Sequence, residues 1–289
     1  MPRDLADVLH YFLPELEEGP GSGPQLEEGP GSDLPDDAPR TSAEPVAPPS
    51  NLGPLLGSSP PPLPVLGLPI GERDVVRAAL AWNLSVETAR LGASTILLAP
   101  DSDRGSPLWP EPGVGPLGCE LLFCPAKDLH GLYETAMELA TRQARGAKRG
   151  GIIFVRIPTE WLQEADMLAE PMRWILLLSG PRPRDLDETA GLARTLYERH
   201  PMLELGVTLH GVESIAEARN AFDALAQRTD SETTRPLISY GLLVDDLHVY
   251  RAIAAQRPVG LAYPQSPAAR ALMDVARLLH EDARSRVLG

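Results

Sequence analysis

The chain has 289 residues, 43% of them hydrophobic, which is enough to fill the core of one substantial α/β domain. Its formal net charge of -14 speaks against a nucleic-acid binder, which needs a cationic footprint to displace phosphate counterions, and against a basic helix lying on an anionic membrane. Two cysteines, Cys119 and Cys124, are too few to frame a secreted disulfide domain, and with His130 they make too poor a ligand set to predict a metal.

At the start of the chain Asp4 can cap a short helix on which Leu5, Val8, Leu9, Phe12 and Leu13 recur at helical spacing, ending before Pro14. So short a helix is marginal alone, and its apolar stripe reads as a docking peptide over residues 1–14. Two receivers stand open, a partner protein or the chain's own domain. Asp4 and Asp7 sit where a secretory leader would be basic, and no apolar run reaches the ~20 residues of a membrane span, so the expected location is the cytoplasm.

Residues 15–63 are acidic and rich in proline and glycine, a composition that cannot build a core, and are expected to be a disordered linker. Within them Leu16-Glu-Glu-Gly-Pro-Gly-Ser22 is repeated as Leu26-Glu-Glu-Gly-Pro-Gly-Ser32, too few copies for a solenoid. Up to Pro64 the chain carries two basic side chains, Arg3 and Arg40, against eleven acidic ones, so most of the net charge of -14 sits outside the fold, and the charges of residues 64–289 read as mixed and ordinary.

From Pro64 onward short apolar runs alternate with helical patterns, the signature of βαβ units and a mostly parallel sheet. The expected strands are Val65 to Leu68, Thr95 to Ala99, Glu120 to Cys124, Ile152 to Ile157, Trp174 to Leu178, Leu205 to Leu209 and Leu237 to Leu243. Amphipathic helices are expected over Val75 to Leu91, Leu129 to Ala147, Asp185 to Arg199, Ser214 to Arg228 and Pro267 to Ala283. One α/β domain over 64–289 accounts for all of them. Asp245-Asp246 reads as a polar helix start rather than a metal site.

The stretch Pro64 to Asp103, PVLGLPIGERDVVRAALAWNLSVETARLGASTILLAPDSD, resembles the opening of the MinD/ParA family of P-loop ATPases, in particular its flagellar-number branch. Asn83-Leu84-Ser85 matches the family's Asn-Leu-Ala helix step, Arg90-Leu91-Gly92 its turn, and Ile96 to Asp101 its second strand. Further on, Leu122 to Ala126, Ser179 to Asp185, Val249, Ala252, Gln256 to Val259 and Tyr263 to Ala271 follow the family's later segments. The resemblance implies a three-layer P-loop-type fold.

In this register Gly71 to Ala78, GERDVVRA, lies on the family's GKGGVGKT. A phosphate loop needs glycines that turn backbone N–H groups inward, a lysine for the β/γ-phosphates and a hydroxyl for magnesium. Of the motif's phosphate-handling residues only Gly71 is kept; Glu72 takes the signature lysine, Arg73 and Asp74 the middle glycines, Arg77 the second lysine and Ala78 the magnesium-side hydroxyl. Ala99-Pro100-Asp101 stands on the family's Asp-x-Asp, Arg156-Ile157-Pro158-Thr159-Glu160 on its Asp-Thr-Pro-Ala-Gly switch, and His210 on its adenine-reading asparagine. The resemblance therefore implies a degenerate member with no bound cofactor; ATP held by Arg77 and Asp101 is the alternative.

Arg77 is expected to pair with Glu72 or Asp74 and close the loop, Asp101 to cap the following loop, and His210 to be structural. Trp109, in a Gly/Pro-rich loop, is either an exposed anchor for a protein or tucked under the loop. The expected function is a non-enzymatic scaffold or regulator, engaging a protein through Leu5 to Leu13 or through the family's dimer face, in the spatial organisation of bacterial cell machinery. A nucleotide-binding switch for ATP, GTP or a nucleotide messenger is the second reading. An enzyme with new chemistry ranks last, because no nucleophile, acid pair or metal cluster is visible.

Overall fold

The computed structural model describes residues 60–164, 173–230 and 235–288, so the docking peptide at Leu5 to Leu13 and all but the end of the linker lie outside the described residues. In chain order they form β1 (Val65–Ile70), α1 (Val75–Arg90), β2 (Ser94–Pro100), β3 (Gly113–Val114), β4 (Glu120–Cys124) and α2 (Leu129–Ala144). There follow β5 (Gly151–Pro158), α3 (Trp161–Glu164), β6 (Trp174–Ser179), α4 (Pro183–Arg199), β7 (Glu204–Val212) and α5 (Ile215–Asp230). The chain closes with β8 (Ile238–Val244), α6 (Leu247–Ala254), α7 (Val259–Ala262) and α8 (Pro267–Leu288).

The eight strands make one sheet in the order β3-β4-β2-β5-β1-β6-β7-β8, parallel throughout except for the antiparallel β3–β4 pair. A parallel strand covered by helices on both faces must be apolar at nearly every position, which is why β1, β5 and β6 read as unbroken apolar runs. On the two sides of the sheet, α1 packs with α8 and α4 packs with α5. All seven expected strands and all five expected helices are present, with ends displaced by a few residues. Edge strand β3 and the short α3 and α7 carry too few residues to show a period, and so left no pattern to read.

The helix starts are chemically explicit. Asp74, Asp128 and Asp246 accept from the amides of Arg77, Gly131 and His248, each at 2.9 Å, and Pro183 opens α4. Asp246 is thus the helix cap expected of it. Behind α1, Gly92 adopts a φ of 84°, the left-handed turn that ends a helix.

Two of the segments that carry the family resemblance meet in space. The buried Asn83 on α1 takes the Val259 amide on its Oδ1 at 2.6 Å and donates to the Ala79 carbonyl at 2.7 Å. One turn later the fully buried Glu87 lies against Gly260 and pairs with Arg90 at 2.8 Å. A side chain at Gly260 would collide with the Glu87 carboxylate. These contacts clamp α7 to α1.

Candidate functional site at the carboxyl ends of the strands

In an open parallel sheet, ligands settle in the crevice beyond the carboxyl ends of the strands, and the loop from β1 to the first helix is the place for a phosphate. Here that loop is short. Asp74 N–H returns to the Gly71 carbonyl at 3.2 Å and Val75 N–H to that of Arg73 at 3.1 Å, and α1 begins at once. A Cβ at Gly71 would only touch Thr159 Oγ1 at 3.9 Å, so packing does not demand glycine there.

The positive end of α1 is met by the chain itself. Asp74 Oδ1 accepts the Arg77 amide, and Asp74 Oδ2 lies 3.3 Å from Arg77 Nε. Arg77 Nη1 reaches Glu188 on α4 at 3.4 Å. Arg77 pairs with Asp74 as expected, and its second partner is Glu188 rather than Glu72. A carboxylate at a helix N-terminus satisfies an orphan amide and complements the helix dipole, the same two interactions a phosphate would use. Ala78, one residue on, is completely buried in the core.

Beside this loop the end of β5 holds Arg156, only 1% exposed although it carries a guanidinium. Its Nη1 pairs with Asp103 Oδ1 at 3.1 Å, and Asp103 Oδ2 accepts the indole N–H of Trp109 at 3.1 Å. Burial pushes the Asp103 carboxyl up from its ordinary range against the opposing pull of Arg156, and burial lowers Arg156 in turn. Arg156 Nε and Nη2 are buried without a hydrogen-bond partner. Glu72 and Glu160 act on the same guanidinium through space.

Trp109 is 4% exposed, so of its two expected placements it takes the one under the loop, where it holds Asp103 in place. Asp101 begins a short 3-10 turn and grips Arg104 at 2.7 Å; its carboxylate binds a neighbouring side chain instead of capping the loop backbone. Arg104 then lies 5.3 Å from the Phe123 ring centroid. The acid that matters to the buried centre is Asp103, which sequence reasoning passed over. One signal pointed to it: an arginine within the apolar run GIIFVRIP must find a counter-charge near the end of that strand.

On the far side of α1, His210 near the end of β7 lines a cavity of about 20 Å³ with Val76, Asp246 and Tyr250. Burial and the nearby Arg77 lower its pKa to about 4, so the ring is neutral at pH 7. His210 Nε2 is buried without a hydrogen-bond partner, and the described lining of that cavity holds no serine, threonine, cysteine or lysine beside it. Around the same end of the molecule Val75, Leu247 and Tyr250 are exposed by 41%, 60% and 49%. Among the described residues there is no cluster of three histidine, cysteine, aspartate or glutamate side chains able to hold a metal ion, and no helix is long and apolar enough to cross a membrane.

No family model matches the chain, and no curated protein matches it by sequence. Solved structures do. The MinD cell division protein of Aquifex aeolicus superposes with a TM-score of 0.55 at 16% identity, over 75% of this chain and 97% of the other. The cell division ATPase MinD of Pyrococcus furiosus gives 0.54 at 14% identity, over 75% and 98%. The septum site-determining protein MinD of Pyrococcus horikoshii, solved with Mg-ADP, gives 0.53 at 14%, over 75% and 95%. At such identities the likeness is one of fold: a mostly parallel sheet flanked by helices, of the kind found in MinD ATPases.

Proposed function

We propose that this MinD-like chain is a non-catalytic scaffold or regulator, working by protein contact in the spatial organisation of cell machinery. The observation that carries the reading is the Asp74 carboxylate seated on the N-terminal amide of α1, where the fold's nucleotide would place a phosphate. Magnesium triphosphate fits these residues poorly on three further counts. Arg77, at the phosphate-lysine position, is engaged by Asp74 and Glu188; Ala78 has no side-chain oxygen for a cation; and Glu72 adds a second acid beside the loop. Like charges brought together in a partly buried crevice repel by amounts on the order of kcal/mol.

The apolar side chains exposed around this end, Val75, Leu247 and Tyr250, offer a contact surface that a triphosphate would not use. Protein pairing has a precedent in the fold, since the Aquifex aeolicus MinD is also known in a complex with MinC. The stripe Leu5, Val8, Leu9, Phe12 and Leu13 is the second candidate contact.

One observation favours the second reading, a nucleotide-binding switch. Two donors of Arg156 are buried and unanswered, and an anion could take them. Calorimetry of the full chain with ATP, ADP and GTP in the presence of magnesium separates the two. The scaffold reading expects no binding heat up to millimolar nucleotide and no thermal shift, because a ligand that prefers the native state must raise its stability. Micromolar binding that disappears in Arg156→Gln would establish the switch instead.

A further inference from the structure

At the opposite end of the sheet, where the parallel strands begin, the structure opens a cavity of about 220 Å³. Its apolar floor comes from Leu63, Ala144, Ala147 and Val287, and its rim carries Lys148, Arg149 and Arg284. Arg142 and Arg145 lie on and just beyond the last turn of α2, the helix whose end leads into this hollow at Ala144 and Ala147. All five cations are exposed, and among the described residues none of them forms an ion pair with an acid. In a chain of net charge -14, what sets Lys148, Arg149 and Arg284 apart is that they share one hollow, whereas Arg77, Arg90, Arg104, Arg156 and Arg277 each meet a carboxylate partner. Cations near helix C-termini complement the dipole, which explains Arg142 and Arg145 but not Lys148, Arg149 and Arg284 gathered round one hollow.

The chain enters the described region at this hollow, since Pro60 and Pro61 form part of its wall. The residues just upstream are its natural complement in charge. Between Glu15 and Ser59 the sequence has nine acids and one base, with paired carboxylates at Glu17-Glu18, Glu27-Glu28 and Asp36-Asp37. We propose that this acidic segment of the same chain, Glu17 to Asp37, docks on the Lys148–Arg149–Arg284 groove.

Reach is no obstacle, because the twenty-odd residues from Asp37 to Pro60 span up to about 75 Å when extended. Being tethered at the rim, the segment meets the groove at an effective concentration on the order of millimolar, so a few screened charge contacts suffice. The leucines that precede two of the acidic pairs, Leu16 and Leu26, suit the apolar floor. Docking sets the path by which residues 1–14 leave the domain, and hence whether the Leu5 to Leu13 stripe is presented near the strand-start end.

The chain's two lysines provide the test: Lys127 just before α2 and Lys148 just beyond it, separated by the length of a 16-residue helix, about 24 Å. Carbodiimide joins a lysine amine to a carboxylate only where the two already touch, and peptide mass spectrometry of the full chain then locates the links. Docking predicts Lys148 links to Glu17-Glu18, Glu27-Glu28 or Asp36-Asp37, well in excess of links from Lys127. Their yield should fall several-fold at about 0.5 M salt, where the Debye length shrinks to roughly 4 Å. It should fall likewise in Arg149→Glu/Arg284→Glu, which leaves Lys148 and the tether intact.

A yield unchanged by salt and by charge reversal would mean that tethering alone brings the groups together, and would overturn the proposal. Mixing heavy- and light-isotope chains identifies the source of the tail. Links that pair heavy with light would assign the groove to the tail of a second copy, and absence of any tail link would leave it to another acidic protein; either result overturns docking within one chain.

Discussion

At the scale of single residues, the local logic is that of buried charge. Arg156 lies in a strand that is otherwise apolar, and an uncompensated guanidinium there would cost several kcal/mol, so Asp103 is recruited from the loop beyond β2. The sequence made the problem visible but not its solution. Asp101 aligns with a family acid, while the carboxylate that turns inward, Asp103, lies two residues later. His210 gives the sharpest prediction at this scale. Its folded pKa of about 4 lies below the ordinary 6.5, so between those values the unfolded chain binds a proton that the native chain does not. Stability therefore rises with pH across that window, is fully present above pH 6.5, and is lost as pH falls toward 4. The effect amounts to at most about 3 kcal/mol. Denaturant titrations at pH 4.5 and 7 should show it, and His210→Gln should flatten the difference; an equal slope in the variant would assign the pH dependence to other groups.

At the scale of elements, the segments that made the resemblance readable turn out to be those that hold the layers together. Asn83 and Val259 are 176 residues apart in sequence and are joined by a 2.6 Å hydrogen bond, with Glu87 and Gly260 packed directly behind. Removing the amide from Asn83 strands the buried Val259 N–H, a loss of roughly 1–3 kcal/mol. Asn83→Ala should accordingly lower the denaturation midpoint, and Asn83→Asp, which keeps the acceptor, should lose less; equal losses in both variants would mean that the donor bond to Ala79 dominates. Elements with a clear period were legible because their burial is: two-sided for the central strands, one-sided for α2, α4 and α5. Strand β3 was not, since two residues at a sheet edge hold no period, and its pairing to β4 is decided by the chain's return across Gly115 to Cys119.

At the scale of the whole molecule, the sheet buries both cysteines at the β3–β4 edge and beside β2. The Cys119 thiol is pushed up to about 12 by burial, and Cys124 is raised for the same reason. Reactive thiolate is scarce under these conditions, so the native chain should leave both thiols unmodified by an aromatic disulfide reagent at pH 8 and release two equivalents in denaturant. Rapid reaction of one thiol in the native chain would show that the edge opens. The distribution of charge belongs to this scale as well. Residue counts alone made the folded region look evenly mixed, whereas folding pairs Arg77, Arg90, Arg156 and Arg277 with carboxylates and gathers Lys148, Arg149 and Arg284 round one hollow at the strand-start end. The sequence by itself determined the α/β alternation, the mostly parallel sheet, the helix start at Asp246 and a neighbouring acid, Asp74 or Glu72, as the partner of Arg77, because these depend on residues within a few positions of one another or on burial that recurs with a period. Only the tertiary structure decided that Asp103 answers Arg156, that Trp109 is buried, and that Lys148, Arg149 and Arg284 share one hollow, because each depends on which segments the sheet order brings side by side, and strand order is written in no local pattern.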